Sequence, residues 1–232
     1  MMVGDARIPQ AICHWFLHHL KIGGILSMEN KMRYYSLMLI AVCIIVFIIQ
    51  VFSNSFTEAF MLTSSEVLMK PWTLVTSIFL HGSASHLLFN MFALFLFGLL
   101  LEKFVGPKKF LLIFFLTGIV ASIAALFYTS SLGASGAIYG IIGALAALRP
   151  RMIVWTYGVP MPMVAAAGFY LLLDFAGMFF PSNIANTAHI AGLVAGVLIG
   201  LALREQRQKK KKISNDKILT DEEINQWEDT WM

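Results

Sequence analysis

Charge is the scarcest commodity in this chain. Asp, Glu, Lys and Arg supply only 13% of its 232 residues, whereas hydrophobic residues supply 58%. Ordinary globular chains carry roughly 25% and 45–50%. A soluble domain needs more polar surface than this, so a soluble fold is excluded. Cysteine is nearly absent: Cys13 lies in the N-terminal stretch and Cys43 inside an apolar run, and two such residues make no disulfide framework. The net charge of +4 is small, and the basic residues sit beside apolar runs, so no nucleic-acid partner is expected. A cleavable leader is not expected either. Between Arg7 and Lys21 the chain is broken by Pro9 and three histidines, without a clean apolar core or a small-residue cleavage site.

What is abundant is long apolar sequence. Six segments stand out: Tyr34–Phe52, Ser83–Leu101, Phe110–Tyr128, Ser135–Leu148, Pro160–Phe180 and Thr187–Leu203. Several approach the ~20 residues that cross a bilayer as a helix. The fold class is therefore an all-α membrane protein with six transmembrane helices. Six spans put Arg7, Lys21, Lys31 and Arg33, the Lys103–Lys109 turn, Arg149 and Arg151, and the tail from Arg204 on one side of the membrane. Of the 17 Lys and Arg residues only Lys70 falls on the other side. The positive-inside rule then places both termini in the cytoplasm, most simply at the cell membrane. The expected organisation is an N-terminal extension over 1–33, a membrane domain over 34–204 and a charged tail over 205–232.

Both ends carry weaker signals. Ile8, Ile12, Trp15 and Leu20 can line one face of an interfacial helix, and Thr220 to Glu223 have capping-box spacing ahead of Ile224, Trp227 and Trp231. His14 and His18 share helical spacing, but two histidines without further ligands make no metal site.

Polar residues inside a span need a reason. His86 and Asn90 lie in the second segment, Ser135 opens the fourth and His189 opens the sixth. Measured from the cytoplasmic charges at a rise of about 1.5 Å per residue, Ser135 stands about 21 Å up, His189 about 22 Å, Asn90 about 20 Å and His86 about 25 Å. All four therefore reach one level, several ångströms inside the outer boundary of a core about 30 Å thick. The fourth segment is too short to cross, so its N-terminus ends within the membrane. Backbone there must be buried in protein or face a watery cavity. Gly136, Gly140 and Gly143 form one stripe, and Gly192, Gly196 and Gly200 another, which lets the fourth and sixth helices approach closely.

Three stretches carry a family pattern. They are Gly133-Ala134-Ser135-Gly136-Ala137-Ile138-Tyr139-Gly140, the segment from His81 through His86 to Asn90, and Ala188-His189-Ile190-Ala191-Gly192. In this order they resemble the rhomboid family of intramembrane serine proteases, over about Pro71 to Leu203. Glu102 also stands where the family has an acidic residue at the end of the second segment. One departure is visible: many rhomboids carry a Trp-Arg pair in the first loop, whereas Trp72 is followed by Thr73.

The chemistry suits these residues. A serine hydroxyl is a weak nucleophile until a base removes its proton, and His189 at the same depth can supply that base. Asp174 reaches a suitable depth in the fifth segment, but no motif supports it, so a Ser135–His189 dyad without an acid is expected. The resemblance implies that Tyr139 packs against the histidine. It also implies that His86, Asn90 and the Ser135 N–H form an oxyanion hole, with Gly133, Gly136 and Gly192 in support. No metal or cofactor is required. A site at this depth implies membrane-anchored helices as substrates, cut near the outer boundary, and the bilayer itself as the other partner.

Overall fold

The computed structural model describes residues 34–156, 158–179 and 185–215. The expected interfacial helix near the N-terminus, the His14/His18 pair and the capping box at Thr220 lie outside the described residues. Helix α1 (Tyr35–Phe52) is mostly apolar, its polar Ser36 and Gln50 being buried, and its exposed side chains include Met38, Ile45, Ile48 and Phe52. Its first turn has N–H groups that no carbonyl of its own can satisfy. Glu102 satisfies them. One carboxylate oxygen accepts from the Tyr35 N–H at 2.8 Å, and the other accepts from the Ser36 N–H at 3.0 Å and the Ser36 hydroxyl at 2.7 Å. A buried carboxylate is thus stabilised by a helix N-terminus, and α1 is tied to the end of the second membrane helix.

The segment between them is more structured than a loop. It contains α2 (Asn54–Phe60), the short strand β1 (Leu62–Thr63), and α3 (Thr73–Thr76). Anchors other than a Trp-Arg pair hold it. Trp72 donates from its indole to the Ala59 carbonyl at 3.4 Å, and the Thr76 hydroxyl donates to the Phe60 carbonyl at 2.8 Å.

A continuous helix follows over Ala84–Val105, made of α4 (Ala84–Ala93), a π-turn at Leu94–Gly98, and α5 (Leu99–Val105). Gly106 at φ +84° ends it, and Pro107 opens α6 (Pro107–Ala124), the usual order of a glycine stop and a proline start. Strand β2 (Ser130–Ser131) pairs with β1 antiparallel, Leu62 opposite Ser131 and Thr63 opposite Ser130. The Ser64 hydroxyl adds a bond to the Tyr128 carbonyl.

Helix α7 (Ser135–Leu148) is the centre of the molecule: from Gly136 to Ala147 every residue except Tyr139 is buried. Such a helix, apolar on all sides, must be ringed by others. A hairpin of β3 (Ile153–Thr156) and β4 (Val159–Pro162) follows, with Thr156 opposite Val159 and a turn at Gly158. The sequence predicts a membrane helix from Pro160. The helix instead begins after Pro162, since Pro160 and Pro162 suit a strand edge better than a helix interior. Helix α8 (Met163–Gly177) then leads to α9 (Asn186–Asn215), whose 30 residues carry it past the boundary expected at residue 204.

Among the described residues four helices are long and apolar enough to cross a membrane: Tyr35–Phe52, Ala84–Val105, Pro107–Phe127 and Asn186–Gln206. Ser135–Leu148 and Met163–Gly177 are shorter apolar helices. Large apolar side chains lie exposed on the outer helices, among them Phe89, Leu112, Ile123 and Leu172. Apolar surface of this extent matches lipid.

The glycine stripes bring α7 and α9 into backbone contact. A Cβ on Gly192 would collide with the Gly136 carbonyl oxygen, one on Gly196 with the Gly140 carbonyl oxygen, and one on Gly143 with the Leu193 carbonyl oxygen. The α7 stripe serves two neighbours. A Cβ on Gly136 would strike Ala121, and one on Gly140 would strike Thr117, both on α6.

Candidate active site

Ser135 is the first residue of α7, where backbone N–H groups lack helical partners and the dipole is positive. The turn before it depends on Gly133. Its φ of +129° favours glycine, and a Cβ there would sit 2.7 Å from Cε1 of His86. The Gly133 N–H donates to the Ser77 carbonyl at 2.9 Å, which pins this turn to the short helices before α4.

His189 lies on the first turn of α9. Two contacts of the preceding Thr187 fix this end: its N–H donates to the Tyr128 hydroxyl at 3.4 Å, and its hydroxyl donates to the Ala124 carbonyl at 3.3 Å. With Gly192 seated on the Gly136 backbone, the two side chains meet. Ser135 Oγ is 2.7 Å from His189 Nε2. Tyr139 lies below the imidazole, nearly parallel to it, with centroids 4.3 Å apart and planes 14° from parallel. Tyr170 of α8 packs edge-on against Tyr139, with centroids 5.8 Å apart.

The sequence reading placed no acid beside His189. The structure differs: Asp174 of α8 puts Oδ1 2.8 Å from His189 Nδ1. With the proton on Nδ1, that nitrogen donates to Asp174 and the Nε2 lone pair is left to the serine hydroxyl. Motif spacing could not find Asp174. Its depth in the fifth segment was the one available signal.

His86 and Asn90 lie on α4, one turn apart. Ser83 caps this helix, accepting from the His86 N–H at 3.1 Å. The His86 ring packs against Gly133, two residues before Ser135. Asn90 is buried and donates from its amide to the His86 carbonyl at 2.9 Å. That bond commits one of its two N–H groups to its own helix and leaves the other donor on the same nitrogen.

His81 stands outside the helix and plays a different part. It is 2% exposed, its N–H donates to Gln50 Oε1 at 3.0 Å, and its ring meets His86 edge-on with centroids 5.2 Å apart. Burial, and secondarily the neighbouring His86, push its pKa down to about 4. Among the described residues no cluster of three His, Cys, Asp or Glu side chains is arranged to hold a metal ion.

Comparison with known proteins follows the same residues. The Rhomboid domain family matches residues 69–206. Rhomboid protease GluP of Bacillus subtilis is 37% identical over 137 residues, covering 57% of this chain and 26% of GluP. YdcA of the same bacterium, whose rhomboid-protease name is provisional, is 32% identical over 147 residues, covering 60% of this chain and 70% of YdcA. The mitochondrial RHOMBOID-like protein 6 of Arabidopsis thaliana is 36% identical over 141 residues, covering 59% of this chain and 45% of that protein. The matched part is thus about a quarter of the length of GluP and under half that of the plant protein. A domain match over more than half the chain, apolar helices of membrane-crossing length and the contact of Ser135 with His189 identify an integral membrane protein that belongs to the rhomboid family.

Proposed function

We propose that the chain is a serine endopeptidase that cleaves peptide bonds within the membrane through Ser135 and His189. The observation that carries this reading is the 2.7 Å approach of Ser135 Oγ to His189 Nε2. His189 takes that proton as Oγ attacks the scissile carbonyl. The negative oxygen of the tetrahedral intermediate is met by the Ser135 N–H at the α7 N-terminus and by side-chain donors from His86 and Asn90. Collapse expels the amine, which receives the proton from His189. Water then enters, gives its proton to His189 and hydrolyses the acyl-enzyme, restoring the serine. Tyr139 holds the imidazole in plane throughout. Every proton in this cycle is handled by side chains, so no metal or cofactor takes part.

The helices α7 and α8 complete a bundle of six spans, and both termini face the cytoplasm in a cell membrane. The N-terminal 33 residues and the charged tail then lie on the cytoplasmic side. Charge asymmetry supports this topology, since Lys70 is the one basic residue assigned outside. The α7 helix is 14 residues long, about 21 Å, so Ser135 sits below the outer surface of a core about 30 Å thick. Substrates are single-span membrane proteins cut near that boundary. A continuous helix hides its carbonyls in hydrogen bonds, so glycine, proline or polar residues at the outer end of the substrate span make the bond accessible. Access from the lipid passes α8, where Phe169 and Tyr170 pack together and Phe179 is exposed.

Purified protein in liposomes, given a single-span substrate with helix-breaking residues near the outer boundary, tests the reading. Cleavage is expected from the wild type and none from Ser135→Ala. Replacing the helix breakers with leucine is expected to slow cleavage. Equal cleavage by folded Ser135→Ala overturns the assignment, and an unchanged rate with leucine overturns the unwinding requirement.

A further inference from the structure

On the far side of the ring from Ser135, His189 Nδ1 meets a carboxylate. Asp174 is 5% exposed, on a helix whose neighbouring Leu172, Leu173 and Phe175 face outward and are apolar. A carboxylate in a lipid-facing helix is costly without a partner. Its Oδ1 is 2.8 Å from His189 Nδ1, while its Oδ2 is buried and meets no hydrogen-bond donor among the described residues. Among the described residues, the side chains in contact with the His189 ring include Ser135 and Tyr139 on α7 and Asp174 on α8. Asp174 is the one anion in that set. The carboxylate is therefore spent on the imidazole and on nothing else in view.

We propose that Asp174 is a positioning residue for His189, forming an acid–base–nucleophile line of Asp174, His189 and Ser135; this rests on the protease reading above. It acts in two ways. In the resting enzyme it holds the proton on Nδ1, so that Nε2 is the free base toward Ser135. As Oγ attacks, the serine proton moves to Nε2 and the ring becomes an imidazolium with both nitrogens protonated. Asp174 stays ionised, keeps accepting from Nδ1–H, and stabilises that cation in a site of low dielectric. Because Asp174 belongs to α8 and His189 to α9, the line also joins the helix that flanks the access route to the helix that carries the base.

The test compares Asp174→Asn, Asp174→Ala and Asp174→Glu with the wild type in liposomes. Asparagine removes the charge and can offer an N–H to Nδ1, which favours the wrong tautomer. It is expected to lower kcat on the order of 10²–10⁴-fold, the range for neutralising the acid of a serine-protease triad, with KM within about threefold. Alanine is expected to be no worse than asparagine despite leaving a gap, and glutamate to recover part of the loss. A purely structural tie between α8 and α9 predicts the reverse order, asparagine being the best tolerated. Wild-type kcat in folded Asp174→Asn overturns the proposal. A second measurement needs no Asp174 variant: ¹⁵N-histidine spectra of the intact protein, with the signal assigned through His189→Gln, are expected to show the proton on Nδ1. A proton on Nε2 alone overturns the proposal. If the wild type neither cleaves nor reacts with serine-directed probes, the protease reading fails and the role of Asp174 falls with it. An active wild type with an indifferent Asp174 removes only the present inference.

Discussion

The two short apolar helices are held in opposite ways. Around α7 the neighbours touch backbone. Glycines of α9 rest on carbonyls of α7, and glycines of α7 accept Ala121 and Thr117 of α6 where a side chain would otherwise stand. Around α8 contact is looser. Gly168 has nothing within 4 Å of where its Cβ would be, and a mostly apolar groove of about 350 Å³ separates α8 from α9, with Ala146 and Ala147 of α7, Ala167 and Gly168 of α8, and Leu193 and Arg204 of α9 in its lining. Packing at backbone distance leaves no soft side chains to absorb a displacement, so Ser135 and His189 keep their registry. A helix bordered by a groove can move at smaller cost. Ser135 and His189, the proposed nucleophile and base, thus belong to the closely packed pair, whereas Asp174 reaches them from the loosely packed neighbour. The C-terminal half of α8 is tied in by that carboxylate, and by Gly177 against Asn186, while its N-terminal half borders the groove.

Substitutions on the glycines break this contrast most directly. Gly196→Leu would drive a side chain into the Gly140 carbonyl and is expected to abolish both folding and activity, read as loss of a cooperative thermal transition and of cleavage. A stable, active variant would mean that α7 and α9 do not depend on close approach. Next come His86 and Asn90 on α4, the proposed oxyanion donors, which stand outside both regions. His86→Ala and Asn90→Ala are each expected to lower kcat by roughly 10–1000-fold, since loss of one oxyanion donor costs about 2–4 kcal/mol. Unchanged turnover in both would move the oxyanion site elsewhere.

A smaller effect separates the outer rim from both helices. The pKa of His81 is pushed down to about 4, below its unfolded value of about 6.5. Between these values the unfolded chain binds more protons than the folded one, so this group's contribution is fully present above about pH 6.5 and is lost as pH falls toward 4. The thermal midpoint is expected to drop by several degrees from pH 7 to pH 5, and less in His81→Leu. Equal slopes would show that His81 does not set the acid sensitivity. The smallest effect belongs to α8. Gly168→Ala meets open space and is expected to be neutral or to stabilise by about 0.5–1 kcal/mol through helix propensity, with activity kept. Strong destabilisation would show that α8 is packed as tightly as α7.

Much of this was legible in the sequence, and the rest was hidden for physical reasons. The limits Ser135–Leu148 follow from a glycine-rich motif at one end and Arg149 at the other. The common depth of Ser135 and His189 follows from helical rise, and their meeting follows from small residues on both helices. The β3–β4 hairpin was hidden because Pro160 and Pro162 stand in apolar sequence that reads as the start of a span, and because each strand's partner is the other. The reach of α9 to Asn215 was hidden because Lys, Arg, Gln and Glu change the solvent of a helix without ending it. Spacing shows that Gly136 and Gly140 share a face with Gly143. It does not say that the first two meet α6, since neighbours are a property of the bundle. Asp174 is the plainest case: a carboxylate fifteen residues before His189 has no local pattern, and only the folding of α8 against α9 brings the two together.

The central claim is that Ser135 is a nucleophile activated by His189. A fluorophosphonate probe incubated with the protein in detergent or liposomes, followed by intact mass and peptide mapping, tests it most directly. The account predicts one covalent adduct at Ser135, absent from Ser135→Ala and strongly reduced in His189→Ala. Labelling undiminished in Ser135→Ala, or a folded wild type that takes no label, would contradict it.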